Sequence, residues 1–415
     1  MPTTAGVHAL VRRTHEQRVL AVLRQGGPLS RAEIAARVGL SRTTLSEITS
    51  SLIARRAVVV VDTDGDRRTG SGRPAELLAL DPASGQFMGV DFGHVRVNVA
   101  VADASHEVIA AGTAPYTAEH SWAERTQLAF DLIERLAAEQ GVHYDSLEGI
   151  GIGVPGPYST GPAADGAGAS GWGRSDISEV VEAAFVQRFG ARVLVDNNTR
   201  FAALAEAIAD DADAPRDLVY VRLSDGVGGG LVVDGRLVTG ATGVAGELGH
   251  VPVVPSGAPC RCGKRGCLET VAAVPPVLAA CRAGGAAVTT LAELTAALEA
   301  GDPVVEEVVR DAGAALGRVL AAVVMTVNPA QVVIGGPLLR AAPGLLRQVA
   351  DTITGEASTV AGAAPEVRAA ALGDDDGVQG AIAALFHQSP LLVGYPTARA
   401  PEPTAARPDL RRSVR

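Results

Sequence analysis

Residues 246–270 read GELGHVPVVPSGAPCRCGKRGCLET and carry three of the four cysteines in the chain. The clustered side chains of the metal-binding type are His250, Cys260, Cys262 and Cys267. Three thiolates and one imidazole fill the tetrahedral shell of a zinc ion, and Gly263 and Gly266 let the loop wrap around it. Because such a shell has no open coordination position, we predict a structural zinc rather than a catalytic one. The alternative is three free thiols in a loop, where oxidation would make them a liability.

The segments on both sides of this block alternate between β-type and α-type patterns. β-rich runs occur at 85–103, 147–154, 193–195, 218–223, 231–233 and 332–334, with helical patterns at 123–139 and 177–189. This alternation, repeated in two halves, predicts an α/β body of two lobes with a cleft between them. Residues 226–230 are rich in glycine and either present backbone amides to a phosphate or form a tight hairpin. Residues 151–156 match GxGxxG, but Pro155 and the PYSTGP that follows cannot open a helix, so a Rossmann fold is excluded.

Length and hydropathy restrict the class of protein. At 415 residues the chain is longer than one hydrophobic core usually supports, so we expect two or three domains. No apolar run approaches the ~20 residues that span a bilayer. The N-terminal MPTTAGVHALVRRTHEQR lacks the apolar core of a signal peptide. We therefore expect a cytoplasmic protein with reduced thiols and no membrane partner.

The charge is distributed unevenly along the chain. The formal net charge is −10, yet residues 1–80 hold 12 arginines against seven acidic residues. Residues 81–415 hold 24 basic and 39 acidic residues. A basic head on an acidic body indicates a module that binds a polyanion, joined to a part with another task.

The head has the pattern of a helix-turn-helix. Apolar residues recur at helical spacing from Val19, and a capping box of Ser30 and Glu33 opens a second helix, which Gly39 ends. A third helix follows to about Arg55. The alternative is a small structural three-helix unit, which the basic charge and the polar outer face of the third helix disfavour.

The third helix offers short polar side chains and one arginine, the types that read base edges and phosphates in a major groove. The expected DNA contacts of this region are Arg31, Ser41, Arg42, Thr43, Thr44 and Ser46, with Thr49 on the same exposed face. Two β-type runs, 57–61 and 77–80, flank a polar tip and predict a wing. Its arginines, Arg67, Arg68 and Arg73, could contact phosphate or enter a minor groove. The alternative for this glycine-rich tip is a solvated linker.

Together these motifs resemble the ROK family (repressor, open reading frame, kinase), whose body has the sugar kinase/actin-like, ribonuclease H-like fold. The head resembles the winged helix-turn-helix of its NagC/XylR-type transcriptional regulators. The resemblance rests on GPLSRAEIAARVGLSRTTLSEI, GRPAELLALDP, GIGVPGP, GVGGGLVVDGRLVTGATGVAGELGH, CRCGKRGCLE and NPAQVVIGG, of which the cysteine block is the most specific. It implies a winged domain at 14–80 and a two-lobed ligand-sensing body at 84–388. We expect residues 389–415, rich in Pro, Ala and Arg, to form a disordered tail.

The kinases of this family bind a sugar in the cleft between the lobes, with ATP beside it. The resemblance implies sugar contacts from Asn197, Asn198, Glu247, His250 and Glu269. His250 would serve both the metal and the sugar, since one ring nitrogen can bind the ion while the other donates to a hydroxyl. The alternative for Glu247 and Glu269 is support of the metal loop.

The chain departs from the kinase pattern at both reacting positions. Asn198 stands where the kinases have the aspartate that accepts the proton of the attacking hydroxyl, and an amide cannot accept it. Asp196 should point elsewhere, so it is no substitute. The phosphate loop DxGGT reads DFGHV at 91–95, which places the bulky His94 where backbone should approach phosphate. Asp225 adds a carboxylate that would repel a triphosphate.

From these departures we expect a regulator without kinase activity. The expected function is sequence-specific binding of operator DNA, as a repressor, by a homodimer or higher homo-oligomer. The body would sense a sugar or sugar-phosphate effector and hold one structural zinc. The alternatives are an active ATP-dependent sugar kinase with a DNA-binding head, and a regulator that binds no small molecule.

Overall fold

The computed structural model describes residues 15–16, 18–20, 22–23, 27–54, 58–63, 76–81, 86–103, 107–117, 119–140, 142, 144, 147–156, 175–208, 217–357 and 364–388. The three wing arginines, Arg67, Arg68 and Arg73, and the expected tail at 389–415 lie outside these residues. Among the helices that are described, none is long and apolar enough to cross a membrane.

The N-terminal domain combines three helices with a small antiparallel sheet. Its elements are α1 (described at 15–16, 18–20 and 22–23), β1 (Leu29–Ser30), α2 (Arg31–Val38), α3 (Arg42–Ala54), β2 (Val58–Thr63) and β3 (Glu76–Leu80), with sheet order β1-β3-β2. The predicted capping box is present, because Ser30 and Glu33 each accept a hydrogen bond from the other's backbone. Gly39 ends α2 in the left-handed conformation, with φ of 70°. The predicted winged helix-turn-helix is confirmed.

The first lobe of the body contains a five-stranded sheet in the order β6-β5-β4-β7-β8. Its elements are β4 (Gln86–Phe92), β5 (Arg96–Asp103), β6 (Val108–Pro115), α4 (Trp122–Gln140), β7 (Leu147–Val154), α5 (Ser175–Phe189) and β8 (Arg192–Asn197). β4, β7 and β8 are parallel, and register places Asp91 beside Gly153 and Gly153 beside Asp196. Because parallel strands end at one edge of a sheet, the polar residues that follow them meet there.

The second lobe repeats the design with a sheet in the order β11-β10-β9-β12-β13. Its elements are β9 (Leu218–Leu223), β10 (Val227–Val233), β11 (Arg236–Leu237), α7 (Glu269–Ala272), α8 (Val274–Ala283), α9 (Leu291–Glu299), α10 (Pro303–Val327), β12 (Gln331–Gly335), α11 (Pro337–Ala341), α12 (Gly344–Glu356) and β13 (Glu366–Ala369). A large apolar core joins α8 and α10 to β9 and β12, and it includes the buried Cys281. The predicted body of two α/β lobes is confirmed.

Two helices pack against each other between the sheets. Helix α6 (Asn198–Ile208) lies on β9 and β10 of the second lobe, and α13 (Asp376–Gln388) lies on β4 and β7 of the first lobe. Their contact is so close that a Cβ added at Gly380 would lie 1.7 Å from the carbonyl oxygen of Phe201. The two helices therefore join the lobes, and the cleft opens beside them.

The glycines at 226–230 have a packing role that the sequence left open. Strand β10 already begins at Val227, so Gly228, Gly229 and Gly230 lie inside a strand rather than in a turn. A Cβ at Gly228 would lie 2.3 Å from the Thr199 hydroxyl, and one at Gly229 would lie 2.4 Å from a backbone oxygen. Helix α6 and the loop at Gly246 pack closely against β10. This packing explains why residues 228–230 are glycines.

Candidate functional site

A cavity of about 300 Å³ lies between the two lobes. That volume is within the range of small-molecule sites. Its charged and amide side chains are Asp91, His94, Arg96, Asn98, Asn197 and Asn198 from the first lobe and the start of α6, and Arg222, Asp225, Glu247, His250, Arg261 and Arg340 from the second lobe. Four of the five predicted sugar contacts therefore line one cavity, although they are up to 53 positions apart in the chain.

The junction between β8 and α6 fixes the two asparagines at the cavity wall. The Asn197 side chain donates to the Gly156 carbonyl and accepts from the Thr199 backbone at 2.7 Å. The Asn198 amide donates to the Phe92 carbonyl at 3.3 Å, at the end of β4. Both side chains are buried, and both line the cavity. Their hydrogen bonds hold the amides in one orientation toward a ligand.

Asp196 is held away from the cavity. Its carboxylate accepts from Arg200 Nε at 2.7 Å and from the Asn197 backbone at 2.6 Å. Burial raises the pKa of Asp196, and the Arg200 guanidinium opposes that rise. Arg200 is itself 1% exposed and also donates to the Gly243 carbonyl. This buried ion pair explains why Asp196 points elsewhere, as the strand alternation predicts.

Glu247 precedes one short turn of 3-10 helix, Leu248–His250, and His250 is its last residue. The turn packs tightly on β10, since a Cβ at Gly249 would lie 2.0 Å from the Val227 carbonyl oxygen. Burial raises the pKa of Glu247, and the Arg200 guanidinium opposes the rise. A carboxylate and an imidazole that face one polar cavity can accept from and donate to the hydroxyl groups of a polyol.

The four predicted metal ligands come together as one cluster, with all their ligand atoms within 4.8 Å of one another. Cys260 Sγ lies 3.4 Å from His250 Nδ1, and the sulfur atoms of Cys262 and Cys267 are 3.6 Å apart. Tetrahedral zinc with Zn–S bonds of about 2.3 Å separates its ligand atoms by roughly 3.5–3.8 Å. The cluster therefore fits a metal ion. The loop geometry requires Gly266, whose φ is +66° and whose Cβ would lie 1.8 Å from the Val254 carbonyl oxygen.

Glu269, the fifth predicted sugar contact, stands behind the cavity wall. It opens α7 and is 8% exposed, and its carboxylate accepts from Arg261 at 2.8 Å and from the Val227 backbone at 3.3 Å. Arg261 lies between two metal ligands and lines the cavity itself. The observed contacts match the support role that was weighed as the alternative for Glu269, and they add Arg261 to the site.

The cavity lining also includes two residues that a triphosphate would not favour. His94 and Asp225 line it from opposite lobes. Burial lowers the pKa of His94, and the Asp225 carboxylate opposes that change. Arg222 forms an ion pair with Asp376 at the start of α13. The sequence analysis did not predict a role for Arg222. It is the one charged residue in the otherwise apolar strand LVYVRL, and this contrast could have identified it.

The expected DNA contacts divide into exposed and engaged side chains. Ser41, Arg42, Thr43 and Ser46 are exposed at the start of α3, and Thr44 is half-buried. The Thr49 side chain is 0% exposed and donates to the Leu45 carbonyl at 3.0 Å, so its expected exposure was wrong. Thr49 lies one helical turn after Leu45 on the same side of α3. It therefore faces the core together with Leu45 and is buried. Arg31 pairs with Glu76 at 2.7 Å.

Comparison with known proteins identifies a matching family for each of the two parts of the chain. The ROK family model matches residues 87–389, and a MarR family model matches residues 10–69. The DNA-binding transcriptional dual regulator NagC of Escherichia coli K12 is 29% identical over 363 residues, which cover 84% of this chain and 86% of NagC. A glucokinase of Halalkalibacterium halodurans is 30% identical over 311 residues, which cover 71% of this chain and 93% of the enzyme.

A solved structure is similar over nearly the whole chain. The ROK family transcriptional regulator that is a homologue of the E. coli MLC protein superposes with a TM-score of 0.71 at 25% identity, covering 90% of this chain and 95% of that one. Both regulators cover more of this chain than the glucokinase does.

Proposed function

The chain belongs to the ROK family as one of its winged-helix transcriptional repressors, and on that premise we propose that a sugar or sugar derivative in the cleft controls its binding to operator DNA. One observation carries the proposal: Asn197, Asn198, Glu247 and His250 line a single cavity, and the amide of Asn198 stands at the position where the family's kinases have the aspartate that serves as catalytic base. A site that can hold a polyol but cannot deprotonate it suits a sensor.

The glucokinase match raises sugar phosphorylation as the second candidate function. Two features of the described residues oppose it. Asp196, the carboxylate nearest in sequence to Asn198, is committed to Arg200. His94 and Asp225 line the cavity, and His94 stands in the segment that matches the kinases' phosphate loop, where a triphosphate would need backbone amides and positive charge. We therefore propose that the body has no kinase activity.

We propose that the exposed start of α3 enters the major groove and contacts bases through Ser41, Arg42, Thr43 and Ser46. The half-buried Thr44 lies beside these residues. We propose that Arg31 and the wing arginines Arg67, Arg68 and Arg73 add phosphate or minor-groove contacts. One helix-turn-helix covers one half-site, so the operator should be an inverted repeat that a homodimer or higher homo-oligomer reads.

We propose that the cluster of His250 and the three cysteines binds one zinc ion. Zinc here supplies structural cross-linking of the loop and no bond-breaking chemistry. The protein's own residues do the rest: His250 Nδ1 lies 3.4 Å from Cys260 Sγ, and the same residue lines the cavity, where we propose that its ring contacts a sugar hydroxyl. The cross-linked loop also carries Arg261, and Arg261 and Glu269 together brace the cavity wall.

Binding of the sugar would be linked to binding of DNA through movement of the lobes. Polar groups from both lobes face the cavity, so a ligand that contacts both stabilises a closed arrangement. A dimer reads two half-sites only while its recognition helices keep a spacing of about 34 Å or a multiple of it. By linkage, a sugar that weakens operator binding tenfold must itself bind tenfold more weakly to the DNA complex.

The test is the affinity of the full chain for its operator, found by genome-wide mapping of bound sites, with and without D-glucose, N-acetyl-D-glucosamine and their 6-phosphates. We expect at least one of these sugars to weaken operator binding about tenfold or more, which corresponds to about 1.4 kcal/mol of coupling. A coupled ADP-release assay with the same sugars should give no turnover. Unchanged operator affinity with every sugar, or sugar-dependent ADP release, would contradict the proposal.

A further inference from the structure

Arg31 joins three elements of the N-terminal domain through one side chain. It is the first residue of α2, its Nε donates to Thr49 Oγ1 of α3 at 3.3 Å, and its Nη1 forms an ion pair with Glu76 Oε2 of β3 at 2.7 Å. The strand register leads into this pair, because Ser30 of β1 lies opposite Leu77 of β3. The sheet therefore places the two charged residues beside each other.

The ion pair lies beside the exposed face of α3 that carries Arg42 and Ser46. Thr49, which the Arg31 side chain contacts, comes three positions after Ser46 and seven after Arg42, so it lies at the edge of that face. Thr49 is fully buried, whereas the side chains of Arg31 and Glu76 are 36% and 53% exposed. A guanidinium and a carboxylate thus stand together, open to solvent, at the border of the proposed DNA-reading surface.

The two partners of this pair have opposite effects on DNA. A phosphate accepts charge-assisted hydrogen bonds from a guanidinium, and each such contact releases counterions from the DNA. The Glu76 carboxylate repels phosphate and already accepts from the Arg31 guanidinium. Because an exposed ion pair contributes little to stability, Arg31 can exchange Glu76 for a phosphate that comes within reach.

We infer that Glu76 competes with DNA phosphate for Arg31, so that this contact forms only when α3 is fully seated in the major groove. On DNA of random sequence no base contacts hold α3 in place, and Arg31 keeps its carboxylate. On the operator the base contacts hold α3 in the groove, and Arg31 exchanges Glu76 for the phosphate at its edge.

This competition makes Glu76 a determinant of specificity. A phosphate contact carries no sequence information directly, but one that Glu76 withholds from random DNA strengthens binding to the operator alone. The inference rests on the proposed phosphate contact of Arg31 and goes beyond it.

The first test is binding of the full chain to a random-sequence duplex, measured by fluorescence anisotropy between about 50 and 200 mM KCl. Glu76→Gln frees Arg31, so the slope of log affinity against log salt should become more negative by about 0.9, the value of one added phosphate contact. Affinity near about 0.1 M salt should rise roughly eightfold, the factor that this slope gives over one decade of salt. Unchanged or weaker binding of Glu76→Gln would overturn the inference.

A double variant, Arg31→Ala with Glu76→Gln, shows whether the gain passes through Arg31. It removes both charges of the pair, so its slope and affinity on the random duplex should equal those of the wild type. That result would also show that the variant domain is folded, since a misfolded domain would bind no duplex. A double variant with the same steeper slope as Glu76→Gln would contradict the inference.

Glu47→Gln is the matched control for the change in net charge. Glu47 is exposed on α3 and has no ion-pair partner among the residues that the structure describes. Its substitution removes one negative charge from the same domain without freeing an arginine, so the slope should stay at the wild-type value. If Glu47→Gln and Glu76→Gln raise affinity equally and with equal slopes, net charge alone is responsible and Glu76 has no special role.

The mapped operator provides the second readout. The wild type should already make the contact there, so Glu76→Gln should leave the slope unchanged and raise affinity less than it does on the random duplex. The double variant should lose about 0.9 of slope and roughly eightfold in operator affinity. An equal loss on both duplexes would mean that Arg31 binds phosphate regardless of Glu76. If no operator is found, the proposed function fails, while the random duplex still tests the competition.

Discussion

Two sets of residues in the cleft, those proposed to contact a sugar and those that match the kinases' phosphate loop, differ in how much of the kinase pattern they retain. At the sugar end, Asn197, Glu247 and His250 keep a polar set that can contact hydroxyl groups. At the position of the kinases' phosphate loop, here called the phosphate end, stands His94, and Asp225 also lines the cavity; we expect both side chains to disfavour a triphosphate. We therefore expect recognition of a polyol and transfer of a phosphoryl group to depend on different residues of the cavity, so that one can be lost while the other is kept.

A physical difference separates the two ends. Contacts to hydroxyl groups need only donors and acceptors held in place, which the bonds of Asn197 and Asn198 to Gly156 and Phe92 provide. Phosphoryl transfer also needs a base of suitable pKa and a cradle for negative charge. With a DNA-binding domain at the N-terminus, we expect sugar binding to control DNA binding, which requires no phosphoryl transfer.

Removal of a metal ligand should have the largest effect on the sugar end. The wild type should contain about one zinc per chain, and Cys267→Ser should lower this below a tenth of an equivalent, because the loop loses a buried ligand. Sugar affinity should fall at least about 100-fold, since His250 and Arg261 lose their support. Metal analysis and calorimetric titration measure both effects. Cys281→Ala, which alters a buried cysteine outside the cluster, should retain the metal, and a metal-free wild type would exclude the site.

Substitution of the sugar-end carboxylate should separate ligand response from DNA binding. Glu247→Gln should weaken sugar binding by about 1.5–3 kcal/mol, because it removes a charged acceptor, and should blunt the effect of sugar on operator affinity. Operator affinity without sugar should stay unchanged, since Glu247 lies in the body. The exposed Glu299→Gln on α9 serves as the control. Equal sugar responses of Glu247→Gln and the wild type would show that the cavity residues are misassigned.

Substitution on α3 should give the reverse pattern. Arg42→Ala should weaken operator binding by about 1–3 kcal/mol if Arg42 reads a base edge, while sugar affinity of the free protein stays the same. Arg42→Lys distinguishes the kind of contact, because lysine keeps the charge for a phosphate but not the fork for a guanine. Gel-shift titrations against the mapped operator measure both variants. Wild-type affinity of Arg42→Ala would place the recognition surface elsewhere.

Restoring the catalytic carboxylate should have the smallest effect of all. Asn198→Asp supplies a proton acceptor at the sugar end, yet the phosphate end remains blocked by His94 and Asp225, so ADP release should stay at background. A coupled assay with ATP and a sugar that binds the wild type provides the measurement. ADP release by this single variant would mean that His94 and Asp225 do not block ATP. Asn198 alone would then account for the absence of kinase activity.

Several features were predictable because their signals are local in sequence. The capping box of Ser30 and Glu33 and the terminator Gly39 lie within ten residues, and they define α2 as the structure has it. The metal ligands lie close together in the chain, so their types and spacing sufficed to identify the cluster. The sugar contacts, in contrast, were assigned only through the family resemblance, because no local pattern links Asn197 to Glu247.

Other features depended on the packing of distant segments. The sequence by itself determined the winged helix-turn-helix, the two α/β lobes and the cluster of one histidine and three cysteines, since capping, periodicity and ligand type act over short stretches. Only the tertiary structure decided that Thr49 is buried and that Glu269 braces Arg261 behind the cavity wall. Burial and hydrogen-bond satisfaction are set by which elements approach each residue from elsewhere in the chain, and that information appears only when the lobes are assembled.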